Sequence, residues 1–210
     1  MAQWEKMTGK PSSPISPAWY QRPTYYKGNI YSVVGPEEDV IWPPYSEQMD
    51  YELELACVVG KPSKDVSVEQ AAANIFGYTI FNDFSSRDMQ VVERPFGMGP
   101  MKSKDFDTGN VLGPWIVTAD EIGDPQKLNM EVRVNGERRG GGNSADMHHR
   151  FDQILSFMSV SETVHPGTVV ASGTVGTGCG LESGEFLRPM DVVELEIERI
   201  GVLRNRIIRP

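Results

Sequence analysis

Short segments in which apolar and polar residues alternate recur along the chain, and this alternation is the period of a β-strand. The segments with this pattern are 31–34, 51–59, 78–84, 115–117, 130–134, 168–171 and 192–200. Asn135-Gly136 directly follows one of them and is typical of a two-residue hairpin turn. The pattern therefore predicts a fold built mainly of β-strands.

Helical signals are fewer and shorter. Ser67 and Gln70 have the spacing of a capping box, which predicts a short helix that runs to about Ile75 and stops at Gly77. Residues 151–158 place their apolar side chains on one helical face and predict a second helix.

Residues 1–24 contain Pro11, Pro14, Pro17 and Pro23 with several serines and no periodicity. This composition predicts an extended N-terminal arm. The remaining residues, 25–210, are long enough for one substantial core and predict a single domain. Many strands with few short helices indicate a mainly β (α+β) fold, a sandwich or a roll.

Two carboxylates fall on one face of the segment 51–59. Glu52 and Glu54 are two residues apart, which on a strand is about 6–7 Å, so both can converge on one cation. Asp83, in the segment 78–84, offers a third carboxylate. On a buried face such charges need a counter-charge, commonly a metal ion. Carboxylates without a nearby Cys or His favour Mg²⁺ or Ca²⁺, with Mn²⁺ as a further candidate, over zinc.

The same alternation occurs near the C-terminus, where Glu194, Glu196 and Glu198 share a strand face without a third ligand. We expect these side chains to face water, as on a half-exposed antiparallel strand. Two glutamates with this spacing therefore do not distinguish an ion site from a solvated face. Both interpretations of Glu52 and Glu54 stay open at this point.

Polar residues downstream of Asp83 suit a charged substrate. Arg87, Gln90 and Lys104 beside a metal would match a carboxylate or a developing oxyanion. The alternative is a surface pairing of Arg87 with Asp88 or Glu93, and the spacing alone favours that alternative.

A glycine-rich segment follows residues 168–171 and lacks the motifs of a P-loop or a dinucleotide fold. It allows close backbone approach to a small ligand, with Thr174 as a hydroxyl donor and Glu182 as a base. An ordinary run of β-turns is an equal alternative. His148 and His149 are interpreted as a loop or helix-start pair rather than as ligands, because adjacent residues seldom point at one target.

The formal net charge of −9 and the lack of a basic stripe argue against nucleic-acid binding. No apolar run approaches 18 residues and no signal-peptide core follows Met1, so we expect neither a membrane span nor secretion. Cys57 and Cys179 are interpreted as free thiols of a reduced compartment, with a disulfide as the alternative. These features predict a soluble, cytoplasmic protein.

The motifs in their order resemble the fumarylacetoacetate hydrolase family over about residues 17–207. The matching motifs are DYELELACVVGK, AAANIFGYTIFNDFSSRDMQ, KDFDTGNVLGPWIVTADEIGDP, VNGE, PGTVVASGT and MDVVELEIERIGVLRN. The resemblance implies a mixed β-sandwich roll, a bound Mg²⁺ or Ca²⁺ and a homodimer. It also implies enzymes that cleave C–C bonds of diketo acids, or decarboxylate or tautomerise related oxo acids.

By this resemblance Glu52, Glu54 and Asp83 match the metal ligands. Residues that match contacts to substrate or to an oxyanion are Tyr26, Arg87, Gln90, Lys104 and Thr174. Glu182 matches a glutamate that orients a catalytic histidine. That histidine and a further aspartate ligand precede the matched region in long family members, so the chain resembles the catalytic domain without its N-terminal portion.

The resulting hypothesis is a metal-dependent hydrolase that cleaves a C–C bond in a 1,3-diketo acid through an enolate held by the ion. Lys104 and Gln90 would stabilise the oxyanion, and Glu182 would help to activate water. The first alternative is an oxaloacetate-type decarboxylase or an enol–keto tautomerase, which needs no nucleophilic water. The second alternative is a non-catalytic family member that keeps the ion.

Overall fold

A computed structural model describes residues 2–11 and 14–210. Within these residues the strands are β1 Val33–Val34, β2 Asp39–Ile41, β3 Met49–Asp50, β4 Leu53–Val59, β5 Ile75–Asp83, β6 Ser85–Ser86, β7 Asn110–Thr118, β8 Asn129–Val134, β9 Glu137–Asn143, β10 Val169–Ala171, β11 Val192–Ile197 and β12 Gly201–Ile208. The helices are α1 Ala2–Thr8, α2 Ala18–Gln21, α3 Val68–Asn74, α4 Arg87–Glu93, α5 Ala119–Ile122, α6 Phe151–Met158 and α7 Gly180–Ser183. Every segment with strand alternation overlaps a strand, so the mainly β prediction is confirmed.

The strands form two larger sheets and one small one. The first sheet has the order β1-β7-β5-β4-β10, and the second has the order β2-β12-β11-β8-β9. Each contains one parallel pair at an edge, β1 with β7 and β2 with β12, while its other pairs are antiparallel. Strands β3 and β6 pair separately. The sheets are therefore mixed, as expected.

One buried apolar cluster joins the two larger sheets. It contains Leu53 and Leu55 from β4 together with Val193 and Leu195 from β11. The side chains alternate along each strand, so one face of each sheet enters this cluster. On β4 the opposite face, which carries Glu54, is also buried. This strand therefore has a core face and a second covered face, and the second face carries the candidate site.

The two predicted helices are present. At the start of α3, the Ser67 side chain accepts from Gln70 N at 3.2 Å, and the Gln70 side chain accepts from Ser67 N at 2.9 Å. This reciprocal pair is the predicted capping box. Helix α6 begins and ends at the predicted residues, 151 and 158, and buries Phe151, Ile154 and Leu155.

The segment 1–24 is not extended throughout, which corrects the sequence prediction. Helix α1 occupies Ala2–Thr8 because this stretch precedes the first proline and consists mostly of residues compatible with a helix. Arg94 stacks over the Trp4 ring, 4.8 Å from its centroid, and so ties this helix to the domain. Three residues of the expected arm, Met1, Ser12 and Ser13, lie outside the described residues.

The glutamates of β11 face solvent, as predicted. The Glu194 side chain is 25% exposed and that of Glu196 is 46% exposed. Arg133 on the neighbouring strand β8 lies 2.7 Å from a Glu196 carboxylate oxygen, so this face has its own cation. The glutamates of β11 thus have the same sequence spacing as Glu52 and Glu54 but lie on a solvent-facing surface and pair with an arginine.

Both cysteines are free and buried, which confirms the interpretation as thiols. None of the helices in residues 2–11 and 14–210 combines the length and the apolar composition that a membrane crossing requires.

Candidate functional site

The register between β4 and β5 brings the three predicted carboxylates together. Glu54 lies opposite Phe81, and Asp83 N donates to Glu52 O at 3.3 Å, so Glu52 and Asp83 are cross-strand neighbours. One carboxylate oxygen from each of Glu52, Glu54 and Asp83 can be chosen so that all three lie within 4.8 Å of one another. The convergence expected from the sequence is therefore present.

Two buried cations hold this cluster. Lys104 Nζ lies 2.7 Å from Glu52 Oε2 and 2.9 Å from Asp83 Oδ2. Arg87 Nη1 lies 2.7 Å from Glu52 Oε1, so both oxygens of Glu52 have a cationic partner. The surface pairing of Arg87 with Asp88 or Glu93 is wrong, because the Arg87 side chain is 2% exposed and points into the protein. Asp88 and Glu93 instead accept hydrogen bonds from nearby backbone and serine donors.

The surroundings shift the pKa values of the three carboxyl groups in different directions. Burial alone would raise the pKa of Glu52, but Lys104 and Arg87 outweigh it and lower the pKa to about 2. Burial, with the negative charges of Asp83 and Glu52, raises the pKa of Glu54 well above its usual value. Burial also raises the pKa of Asp83 in spite of Lys104. These directions follow from excess negative charge in a buried space.

Asp50 is a residue that the sequence argument did not single out. Its carboxylate is fully buried and accepts from Arg87 Nε at 2.8 Å, Gly180 N at 2.7 Å and Leu181 N at 2.9 Å. Asp50 therefore joins Arg87 to the start of α7. The signal was present in the sequence, because Asp50 continues the two-residue spacing of Glu52 and Glu54.

The charge balance of this buried region fits a divalent cation. Four carboxylates contact or adjoin two cations, Arg87 and Lys104; the carboxylates are those of Asp50, Glu52, Glu54 and Asp83. Asp83 Oδ1 is buried without a hydrogen-bond partner. Oxygen donors without sulfur or imidazole suit Mg²⁺, Ca²⁺ or Mn²⁺. The residues present therefore fit a hard metal ion.

A cavity of about 1410 Å³ opens over the cluster. Glu54 and Asp83 line it, together with Tyr26 and Thr174, two of the predicted substrate contacts. The Tyr26 hydroxyl donates to Asp83 Oδ2. Burial, reinforced by the charge of Asp83, raises the pKa of Tyr26, so the hydroxyl keeps its proton. Gly173 N donates to Glu54 Oε2 at 3.0 Å, which places the glycine-rich segment at the rim of the site.

The other predicted residues lie away from the cavity surface. Lys104, Arg87 and Gln90 are not among the described residues that line the cavity. Gln90 on α4 accepts from Arg87 Nη1 at 3.1 Å. Glu182 is exposed on α7 and contacts Cys179 Sγ at 3.6 Å. It is not among the described residues that line the cavity.

The paired histidines do line the cavity, which the sequence argument missed. His148 Nε2 lies 3.2 Å from Tyr20 O, and His149 Nε2 lies 3.0 Å from Trp19 O. A carbonyl oxygen only accepts, so each Nε2 carries the proton and each Nδ1 is left as an acceptor in the neutral ring. The pair thus holds the N-terminal segment against the cavity wall. The sequence shows only that the two histidines are adjacent, and this does not indicate that both contact the N-terminal segment.

The family model of the fumarylacetoacetate (FAA) hydrolase C-terminal domain matches residues 5–208. The chain belongs to this family. It is 36% identical to the oxaloacetate tautomerase FAHD2A, mitochondrial, of Homo sapiens, over 90% of the chain and 60% of that protein. It is also 36% identical to the 2,4-didehydro-3-deoxy-L-rhamnonate hydrolase of Sphingomonas sp. (strain SKA58), over 88% of the chain and 65% of that protein.

Among solved structures, the fumarylacetoacetate hydrolase of the psychrophile Exiguobacterium antarcticum is similar with a TM-score of 0.80 at 34% identity. The match covers 88% of this chain and 66% of that one. The fold is therefore that of the fumarylacetoacetate hydrolase type, as the sequence resemblance implied. The chain spans about 60% of the length of the human relative.

Proposed function

We propose that this chain is a divalent-metal-dependent hydrolase that cleaves a C–C bond in a 1,3-diketo acid. The observation that carries the proposal is the set of converging carboxylates, Glu52, Glu54 and Asp83, beside a large cavity. The cavity exceeds the 300–1,000 Å³ range typical of small-molecule sites. It therefore accommodates a diketo acid with an acyl substituent.

Glu52, Glu54 and Asp83 would hold the ion, with Mg²⁺ as the first candidate and Ca²⁺ or Mn²⁺ as alternatives. When bound, the ion supplies Lewis-acid polarisation of the substrate oxygens. The family relationship supports this assignment, since the sequence resemblance implies that the three residues match the metal ligands of the family.

The remaining residues have separate tasks in this proposal. Arg87 and Lys104 fix both oxygens of Glu52, so that ligand keeps one orientation and one charge. Tyr26 and Thr174 face the cavity and would contact the substrate. Lys104 would supply positive charge and Gln90 a polar contact for a developing oxyanion. To do so, Lys104 would have to leave Glu52 or Asp83, and Gln90 would have to leave Arg87.

Hydrolysis also requires a base that activates water. Glu182 would have to act from outside the cavity lining. His148 and His149 face the cavity and each leaves Nδ1 as an acceptor, so we add them as candidate bases.

A second candidate function is enol–keto tautomerisation of an oxo acid. It needs proton transfer but no activated water, and the exposed position of Glu182 favours it. The 36% identical human relative carries the name of an oxaloacetate tautomerase, which supports the same candidate.

Three assays distinguish the candidates. Acylpyruvate cleavage, oxaloacetate decarboxylation and enol–keto interconversion are measured with Mg²⁺ and after EDTA. We expect acylpyruvate cleavage with Mg²⁺, and we expect both EDTA and Glu54→Gln to abolish it. Glu196→Gln, at the similar motif on β11, should leave this cleavage intact. Cleavage that survives both EDTA and Glu54→Gln contradicts the metal assignment.

Variants of the two histidines separate hydrolysis from tautomerisation. His148→Gln and His149→Gln should lower cleavage more than they lower enol–keto interconversion if an imidazole activates water. Interconversion without any cleavage supports the tautomerase instead. Metal-dependent stabilisation without turnover of any compound supports a non-catalytic metal-binding protein.

Two further assignments stay predictions. The homodimer rests on the family resemblance, and size-exclusion chromatography with light scattering measures it. The cytoplasmic location is also open, since the human relative is named as mitochondrial.

A further inference from the structure

The strand register places two apolar side chains directly beside the candidate metal ligands. Glu54 on β4 lies opposite Phe81 on β5, and Phe81 lies opposite Leu112 on β7. Neighbouring strands are about 4.8 Å apart, so these three side chains form a continuous row across the first sheet. Asp83 shares this face with Phe81, two residues along β5.

This row faces the cavity rather than the core. Glu54, Phe81 and Leu112 all line the cavity. The residues next to the two apolar ones in sequence, Ile80 and Val111, are fully buried in the core cluster, as alternation requires. Phe81 and Leu112 are half-buried. They form the cavity floor beside the carboxylates.

Apolar side chains also cover other walls of the cavity. Ile154 and Met158 on α6 line it, as do Met147 and Val170. Tyr25 packs edge-on against Phe157 with their ring centroids 6.4 Å apart. A ligand that leaves the metal ligands along the floor therefore meets mostly hydrocarbon.

Positive charge is scarce in the same space. Among the described residues that line the cavity, Lys27 is the one lysine or arginine, and it pairs with Glu162. Asp146 and Glu162 add negative charge to the lining. The histidines of the lining are His148, His149 and His165, and the first two use Nε2 on backbone carbonyls. A second carboxylate at the distal end of a substrate would therefore meet no unpaired lysine or arginine among the described lining residues, at a cost in desolvation.

From the floor and the charge distribution we infer that the site takes a monocarboxylic diketo acid whose distal acyl group is an apolar alkyl or aryl chain. Phe81 and Leu112 select that chain, and a substrate with a distal carboxylate is disfavoured. The inference rests on the proposed function, since it concerns the substrate of that same site.

The kinetic test compares substrates that share the reacting end. We expect kcat/KM to rise from acetylpyruvate to hexanoylpyruvate and to be lower for an acylpyruvate with a terminal carboxylate. Phe81→Ala should lower the preference for the longer apolar substrate about tenfold, because one methylene gained or lost in an apolar pocket changes kcat/KM by about tenfold or more. Phe76→Ala is the matched control, since Phe76 lies on the same strand but is exposed outside the cavity.

Leu112→Lys is the complementary variant. It adds a cation to the floor and should raise kcat/KM for the carboxylate-tailed substrate while lowering it for hexanoylpyruvate. Circular dichroism melts of all variants show whether each is folded. If Phe81→Ala does not fold, the Leu112→Lys variant still tests the inference, because Leu112 is only half-buried.

Binding separates this inference from the proposed reaction. Calorimetry with the Mg²⁺-loaded protein compares 2-oxooctanoate with its terminal dicarboxylate counterpart, 2-oxosuberate. The inference is supported if 2-oxooctanoate binds more tightly than 2-oxosuberate and Phe81→Ala removes that difference. If this result occurs but no compound is cleaved, the hydrolase proposal fails and the inference about the apolar chain stands.

Equal or tighter binding of 2-oxosuberate overturns the inference. The same holds if Phe81→Ala behaves as Phe76→Ala does, whereas cleavage of acylpyruvates would still support the proposed function. Absence of binding by both oxo acids overturns the inference as well.

Discussion

Asp50 and Arg87 form an ion pair that is almost completely excluded from solvent. Arg87 Nε donates to Asp50 Oδ2 at 2.8 Å, and the side chains are 0% and 2% exposed. The same guanidinium reaches Glu52 through Nη1. Asp50 therefore fixes a candidate metal ligand through Arg87.

Replacement of this aspartate should destabilise the protein. Asp50→Asn removes one of the two carboxylates that pair with the buried guanidinium and leaves Glu52 as its remaining counter-charge, and we expect a loss of about 3–5 kcal/mol in the free energy of unfolding. Urea denaturation measures the change. Asp39→Asn is the control, because it removes the same charge from an exposed pair with Arg206 and should have a much smaller effect. Equal losses in both variants would contradict a special role for the buried pair.

Metal binding should stabilise the fold through the carboxylate cluster. At Mg²⁺ or Mn²⁺ concentrations about 100 times Kd, binding adds about 2.7 kcal/mol, which raises Tm on the order of 5–10 °C. Calorimetric melts before and after EDTA measure this shift. Glu54→Gln should abolish the shift and Glu196→Gln should retain it. A shift that survives in Glu54→Gln places the ion elsewhere.

Gly180 should tolerate no side chain. A Cβ at this position would lie 2.3 Å from Glu185 O and 2.6 Å from Asp50 Oδ1. Gly180→Ala should therefore cost about 1–3 kcal/mol of stability through overpacking. At Gly176 a Cβ would meet nothing within 4 Å, so Gly176→Ala in the same segment is the control. Chemical denaturation of both variants tests the contrast, and equal stability would show that α7 can shift without penalty.

The Tyr26 hydroxyl should affect substrate binding more than stability. Tyr26→Phe keeps the ring but removes the donor to Asp83, and we expect KM for a diketo acid to rise about threefold to tenfold. Tyr31→Phe removes a hydroxyl from a side chain that is 88% exposed and should leave KM unchanged. An unchanged KM in Tyr26→Phe would argue against the substrate contact.

The salt bridges on the face of β8 and β11 predict a pH-dependent contribution to stability. The hydrogen bond from Arg133 lowers the pKa of Glu131 below its usual value of 4.5. A lowered folded-state pKa adds stability above the unfolded pKa and loses it as pH falls through the folded pKa. The stability difference between wild type and Arg133→Gln should therefore be present at neutral pH and shrink in acid. Thermal melts across that range measure it, and a constant difference would contradict the linkage.

Elements with local signals could be predicted from the sequence. The capping box at Ser67 fixed the start of α3, and strand alternation placed Glu52 and Glu54 on one face. Local patterns could not show that Asp50 is the partner of Arg87, because that contact joins residues 37 positions apart. The same limit applies to Glu182, since its exposure depends on how α7 packs.

The sequence does not show which charged residues lie next to each glutamate, and these neighbours decide whether the glutamate suits an ion site. Glu196 and Glu54 have the same sequence spacing, but Arg133 neutralises the first and Asp83 adds charge to the second. Strand pairing decides which of these residues become neighbours. Helix α1 was missed because the prolines between residues 11 and 23 outweighed the short helical stretch before them.

Strand β4 is buried on both faces, so the position of its acidic side chains depends on the strand register. A slip of one residue in its pairing with β5 would turn Glu52 and Glu54 towards the apolar cluster and expel Leu53 and Leu55 from it. Misregistered forms would thus carry unneutralised charge in the core. The cost of burying Glu52 and Glu54 among apolar side chains would therefore disfavour the slipped register relative to the native one.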